Sequence, residues 1–105
     1  MIRLDILYPA TPGSRFDLDY YLGTHMPMSK RLLGAACKSI TLARGIAGTE
    51  PDAPPAYAMS CHMLFDSIEA FLEVWSQVGQ QLGGDIANYT DVQPVILFSE
   101  PLPFG

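Results

Sequence analysis

The chain is 105 residues long, 49% hydrophobic, and sets eleven acidic against six basic residues for a net charge of −5. That length fits one domain with a real core, and a net negative field repels phosphate backbones and anionic lipid, which argues against nucleic acid or a membrane surface as partner. No apolar stretch approaches the ~20 residues that span a bilayer, Cys37 and Cys61 are isolated, and Arg3 and Asp5 break the apolar run after Met1, so the expected setting is the reducing cytoplasm.

Ile2 to Tyr8 alternates, with Ile2, Leu4, Ile6 and Tyr8 on one face and Arg3, Asp5 and Leu7 on the other, the period of a strand. A loop through Pro9, Pro12 and Gly13 leads to Asp17, placed as the N-cap of a first helix, with Phe16 and Tyr21 as a hydrophobic staple around it. The apolar stripe of that helix runs Leu18, Tyr21, Leu22, His25, Met28 and Leu32, and Gly34 stops it. Ser39 to Ile46 reads as a second strand, Gly48 to Ala56 as a Pro/Gly-rich loop, and Tyr57 to Phe65 as a third strand with apolar residues at every odd position. Asp66 or Ser67 caps a second helix whose stripe, Ile68, Phe71, Trp75, Val78 and Leu82, is expected to be core and whose end is marked by Gly83 and Gly84. A short helical turn over Asp85 to Thr90, a last strand over Val92 to Ser99 and an extended tail over 101–105 complete the chain.

The order strand, helix, strand, strand, helix, strand is the split βαβ arrangement, so the expected fold is α+β and ferredoxin-like: a four-stranded antiparallel sheet, strands one and three central, with two helices on one face. The whole of 1–105 is expected to be one domain. The other face would be bare yet carries Leu7, Leu64 and part of the run "VILF", too much apolar surface to leave wet. A second copy of the sheet is its simplest cover, giving a homodimer with an interface of ~2,000 Å² or more.

Pro27 breaks the helical pattern two places after His25. It cannot donate to the carbonyl of Gly23, its ring crowds that turn, and Met26 before it is pushed off helical geometry. A kink or local widening is therefore expected over Thr24 to Met26, turning His25 toward a cavity where a ring with an intrinsic pKa of ~6.5 can move protons near neutral pH. The competing reading is a hydrogen-bonded core histidine beside an ordinary helix break.

The run F-x-x-x-Y-Y-x-x-x-H-x-P-M, Phe16 to Met28, resembles the signature of the EthD family of dimeric α/β-barrel proteins, usually Y-x-x-x-H-x-P-L. "LFDSIEAF", Leu64 to Phe71, and "DIANYTDVQPVI", Asp85 to Ile96, are similar to the family at matching distances, and the likeness spans Ile2 to about Glu100. Met28 in place of leucine conserves volume. The resemblance implies protomers paired sheet to sheet into a barrel with an internal pocket. The family is named for an accessory protein of ethyl tert-butyl ether degradation, and related barrels include isomerases, polyketide cyclases and cofactor-free monooxygenases acting on aromatic or lactone-like substrates. It thus implies a small organic ligand, no cofactor, and His25 as general acid/base, with an accessory carrier as the other reading.

Strand parity supplies the helpers. Arg3, Asp5, Ser39, Thr41, Ser60 and His62 share the face opposite the helices and are expected to line the barrel interior, with Asp5 beside His62 as either an acid/base pair or a structural hydrogen bond in the dimer interface. Arg44 either orients an anionic substrate or sits at a strand end. Tyr21 and Tyr89 either donate hydrogen bonds at the pocket mouth or pack as amphipathic core. Cys61 and His62 point to opposite faces of one strand, so no metal site is expected, and no glycine-rich nucleotide loop or nucleophile elbow occurs.

Overall fold

The alternating residues at the start of the chain form β1 (Ile2–Pro9), and the computed structural model, which describes all 105 residues, sets it inside a four-stranded antiparallel sheet. β1 is flanked by β3 (Tyr57–Phe65) on one side and by β4 (Val95–Ser99) on the other, and β2 (Ser39–Arg44) pairs on the outer edge of β3, giving the order β2-β3-β1-β4. The register places Asp5 opposite His62 and Leu97, and His62 opposite Thr41. These four therefore share the face away from the helices, as period two requires.

The other face is covered by two helical rods. The first is continuous over 18–33: α1 (Leu18–Tyr20), a π turn (Tyr21–His25) and α2 (Met26–Leu33). Asp17 caps it by accepting from the Tyr20 N–H at 3.0 Å, and Gly34, at φ 58°, ends it in a conformation that a side chain would strain. The second rod is α3 (Ile68–Gly84); its cap is Ser67, whose hydroxyl accepts from the Ala70 N–H at 3.0 Å, while Asp66 lies outside. The result is the ferredoxin-like α+β fold. No helix is long and apolar enough to cross a membrane.

Two strand ends fall short of the sequence reading. β2 stops at Arg44, not Ile46; at Gly45 the backbone passes so close to the start of β3 that any Cβ would lie 1.8 Å from the Tyr57 carbonyl oxygen. β4 begins at Val95, not Val92, because Pro94 has no N–H to give to a ladder. The stripe of α3 is also less buried than its spacing suggests. Phe71 and Leu82 are buried, but Ile68 and Trp75 remain 39% and 37% exposed.

Between the layers, Phe65 is completely buried and meets the Phe71 ring edge-on at 5.2 Å. Phe65→Ala removes that contact from a close-packed site and should lower unfolding free energy by about 3–5 kcal/mol, read from urea midpoints.

Candidate functional site

The site is built around the irregular turn. Pro27 cannot close a helical hydrogen bond to Gly23, and the chain widens instead: Tyr21–His25 runs as a π turn in which the Met26 N–H donates to the Tyr21 carbonyl five residues back. This is the widening expected next to the proline, starting three residues earlier than Thr24. It leaves His25 facing the layer between helices and sheet, 7% exposed.

Both ring nitrogens have defined neighbours. Nδ1 is 2.9 Å from Oδ2 of Asp85, the residue just past α3, and Nε2 is 3.4 Å from the Tyr89 hydroxyl. The Tyr89 and Tyr8 hydroxyls are 2.6 Å apart. Tyr21 stacks on the imidazole at 5.7 Å with planes 16° apart, and Tyr89 lies against it at 4.6 Å. Asp85 is held in turn by the Tyr20 hydroxyl at 2.7 Å and the Asn88 amide at 2.9 Å. Burial disfavours the charge on Asp85, but the hydrogen bonds from Tyr20, His25 and Asn88 together outweigh it and hold the carboxyl below its ordinary range. An ionised Asp85 only accepts, so neutral His25 carries its proton on Nδ1 and presents a lone pair at Nε2. The chain of donors then runs one way: Tyr8 to Tyr89, Tyr89 to His25, His25 to Asp85.

Burial raises the phenols, taking Tyr8 to about 12 although its hydrogen bond with Tyr89 pulls the other way, and Tyr21 and Tyr89 higher still. All three stay neutral donors at physiological pH. Burial likewise pushes the Cys61 thiol up to about 12.

A cavity of about 250 Å³ opens beside the ring, bounded by Tyr8, Tyr21, Cys61, Phe71, Trp75 and Ile96 among others, with no Lys, Arg, Asp or Glu in its lining. It lies within a single chain. The sequence reading placed the chamber between two stacked sheets, but a residue on the stripe of a helix that packs on a sheet must face the layer they share. A separate groove of about 610 Å³ occupies the open face, lined by Arg3, Ser39, Thr41, His62 and Glu100.

The structure accordingly divides the candidate residues. Tyr21 and Tyr89 join His25, yet both are buried rather than at a mouth. Asp5 and His62 do pair, Oδ1 to Nδ1 at 2.5 Å, with Arg3 bridging the same carboxylate at 2.9 and 3.1 Å, but the sheet separates this cluster from His25. Arg44 is exposed at the end of β2 opposite Met59, beside Pro55 and Tyr57. Asp85 and Tyr8 were not singled out by sequence reasoning. Asp85 follows the glycine pair ending α3 inside "DIANYTDVQPVI", and nothing local ties it to a histidine sixty residues earlier.

The model of the EthD domain matches residues 14–93, a stretch that contains Tyr21, His25, Asp85 and Tyr89. The chain belongs to the EthD family. An EthD-like protein from Ralstonia eutropha JMP134 is 45% identical and superposes with a TM-score of 0.90, covering 94% of this chain and 89% of its own. An ethyl tert-butyl ether degradation (EthD) family protein from Bacillus halodurans C-125 shares 20% identity at a TM-score of 0.75 over 97% of this chain and 99% of its own. The fold is also that of an antibiotic biosynthesis monooxygenase, at 10% identity and a TM-score of 0.55 over 98% of this chain and all of that one. No curated protein matches this EthD sequence significantly.

The site sets an acid limit on stability. Asp5 is also held below its ordinary range: burial works against its charge, and hydrogen bonds and charges from His62 and Arg3 prevail. With Asp5 and Asp85 both held below the ordinary aspartate value of 3.8 in the folded protein, their contribution is complete above that value and is lost as pH falls through the folded values. Urea midpoints should therefore drop below about pH 4, and Asp85→Asn should flatten that drop.

Proposed function

We propose that this EthD protein binds a small, uncharged, apolar or aromatic oxygenated molecule in the cavity beside His25 and moves a proton on it without a cofactor. The reaction would be an isomerisation, cyclisation, elimination or cofactor-free oxidation, the last with dioxygen as the oxidising co-substrate, in a degradative or biosynthetic pathway. One observation carries this reading: His25, held through Nδ1 by the Asp85 carboxylate, lines the cavity. A ligand C–H or O–H proton passes to Nε2, Asp85 stabilises the resulting imidazolium, and the Tyr8 hydroxyl on the cavity wall exchanges its bond to Tyr89 for one donated to a ligand oxygen that gains charge. The 3.4 Å link from Tyr89 to Nε2 is long and is readily replaced by such a ligand.

Volume and lining narrow the ligand. A cavity of about 150 Å³ holds benzene, so the space here suits one or two rings. With no Lys or Arg in the lining, an anionic group would enter uncompensated.

A homodimer is part of the same proposal. The open face presents Leu7, Leu64, Val95 and Leu97, and the β4 residues are about half exposed, Val95 by 45% and Leu97 by 49%. A second sheet covers them and buries the Arg3–Asp5–His62 cluster with them, as the family resemblance implies.

The base is tested by deuterium exchange at the acidic benzylic carbon of β-tetralone, followed by proton NMR in heavy water. Wild type should accelerate exchange over buffer, and His25→Gln should lose about 10²–10⁴-fold of the enhancement. Exchange by His25→Gln within a few-fold of wild type refutes the base; wild-type binding without exchange assigns a carrier instead. In sedimentation runs at micromolar concentration the wild type should be dimeric and Leu97→Asp should dissociate it, whereas a monomeric wild type contradicts the sheet-to-sheet pairing.

A further inference from the structure

Trp75 is the chain's one tryptophan, and it stands at the cavity's edge. Among the lining residues, Trp75, Gln93 and Ile96 are exposed and mark the rim, while Tyr8, Tyr21 and His25 are buried and mark the inner end. The indole stacks on Phe71, one turn earlier on α3, with centroids 5.5 Å and planes 20° apart. Phe71 is itself fixed edge-on between Phe65 at 5.2 Å and Phe98 at 5.3 Å. The indole's other boundary is the helix surface at Gly79, where a Cβ would fall 2.5 Å from Cε2 and 2.6 Å from Nε1. Real atoms do not approach so closely. Glycine is a poor residue for a helix interior, yet here it is buried in the middle of α3, and it is what lets the ring lie flat against the rod.

We propose that Trp75, seated on Gly79, is the specificity-determining wall of the His25 cavity: it closes the rim over a flat ligand and limits the ligand to about two rings. The inference rests on the cavity being the ligand site. Its physical basis is that an indole held between the Phe71 ring and a side-chain-free helix turn cannot recede from the rim, so a longer ligand runs into it, while a flat molecule of the right length meets the indole edge in an edge-to-face contact.

The test compares β-tetralone with a longer phenyl-substituted β-tetralone by calorimetry on wild type, Trp75→Ala and Gly79→Ala. Wild type should prefer the short probe by about tenfold or more. Trp75→Ala should bind the short probe several-fold more weakly and the long one about tenfold more tightly than wild type does. Gly79→Ala, which keeps the indole but removes its seat, should shift tryptophan emission to the red and move the preference in the same direction. In wild type, the short probe should perturb the emission of the single tryptophan directly. An unchanged ratio of affinities in Gly79→Ala and in a folded Trp75→Ala overturns the proposal while leaving the ligand site standing. Failure of wild type to bind either probe overturns both.

Discussion

The hydrogen bond between His25 and Asp85 joins two segments sixty residues apart, and the other features of the site follow from it. It needs an imidazole turned inward, which the π turn before Pro27 supplies, and a carboxylate just beyond α3, which the length of that helix sets. It also needs the carboxylate to remain charged although it is largely out of water. Tyr20 and Asn88 meet that need with two further hydrogen bonds, since a half-buried carboxylate with unfilled acceptor sites would take up a proton. Once Asp85 is anionic, the tautomer of His25 is decided, and with it the direction of every donor out to Tyr8.

Much of the fold was legible because its signals are local. Period-two alternation in Ile2 to Tyr8 and Tyr57 to Phe65, the caps Asp17 and Ser67, and the stop at Gly34 each act within a few residues, and together they permit few arrangements. What escaped was set by contacts between distant segments. Trp75 has the spacing of a core residue, but whether a stripe position is covered depends on how far the neighbouring elements reach, and here they stop short of it. The pairing of Asp5 with His62 follows from strand parity alone. The same parity puts that pair on the far side of the sheet from any residue on a helix stripe, so grouping it with His25 joined two sites. Asp85 was missed for the opposite reason: its partner is defined by where α3 ends in space, which no local pattern records.

The protein thus holds two histidine–aspartate pairs on opposite faces of one sheet, and their surroundings give them different capacities. His62 shares its carboxylate with Arg3, is partly exposed, and borders a groove that also contains Glu100. Asp5 is already engaged by the Arg3 guanidinium as well as by His62. Asp85 is held by the neutral donors Tyr20 and Asn88 beside His25, and the apolar lining of the cavity leaves little solvent to screen its charge.

Cys61 shares the cavity wall with the histidine, and its elevated pKa has a chemical corollary. Sulfur attacks electrophiles and reacts with peroxides as the thiolate, a form almost absent from Cys61 at physiological pH. Alkylating or oxidising agents that reach the interior therefore meet a sulfur slow to react, although it stands in the wall of a cavity.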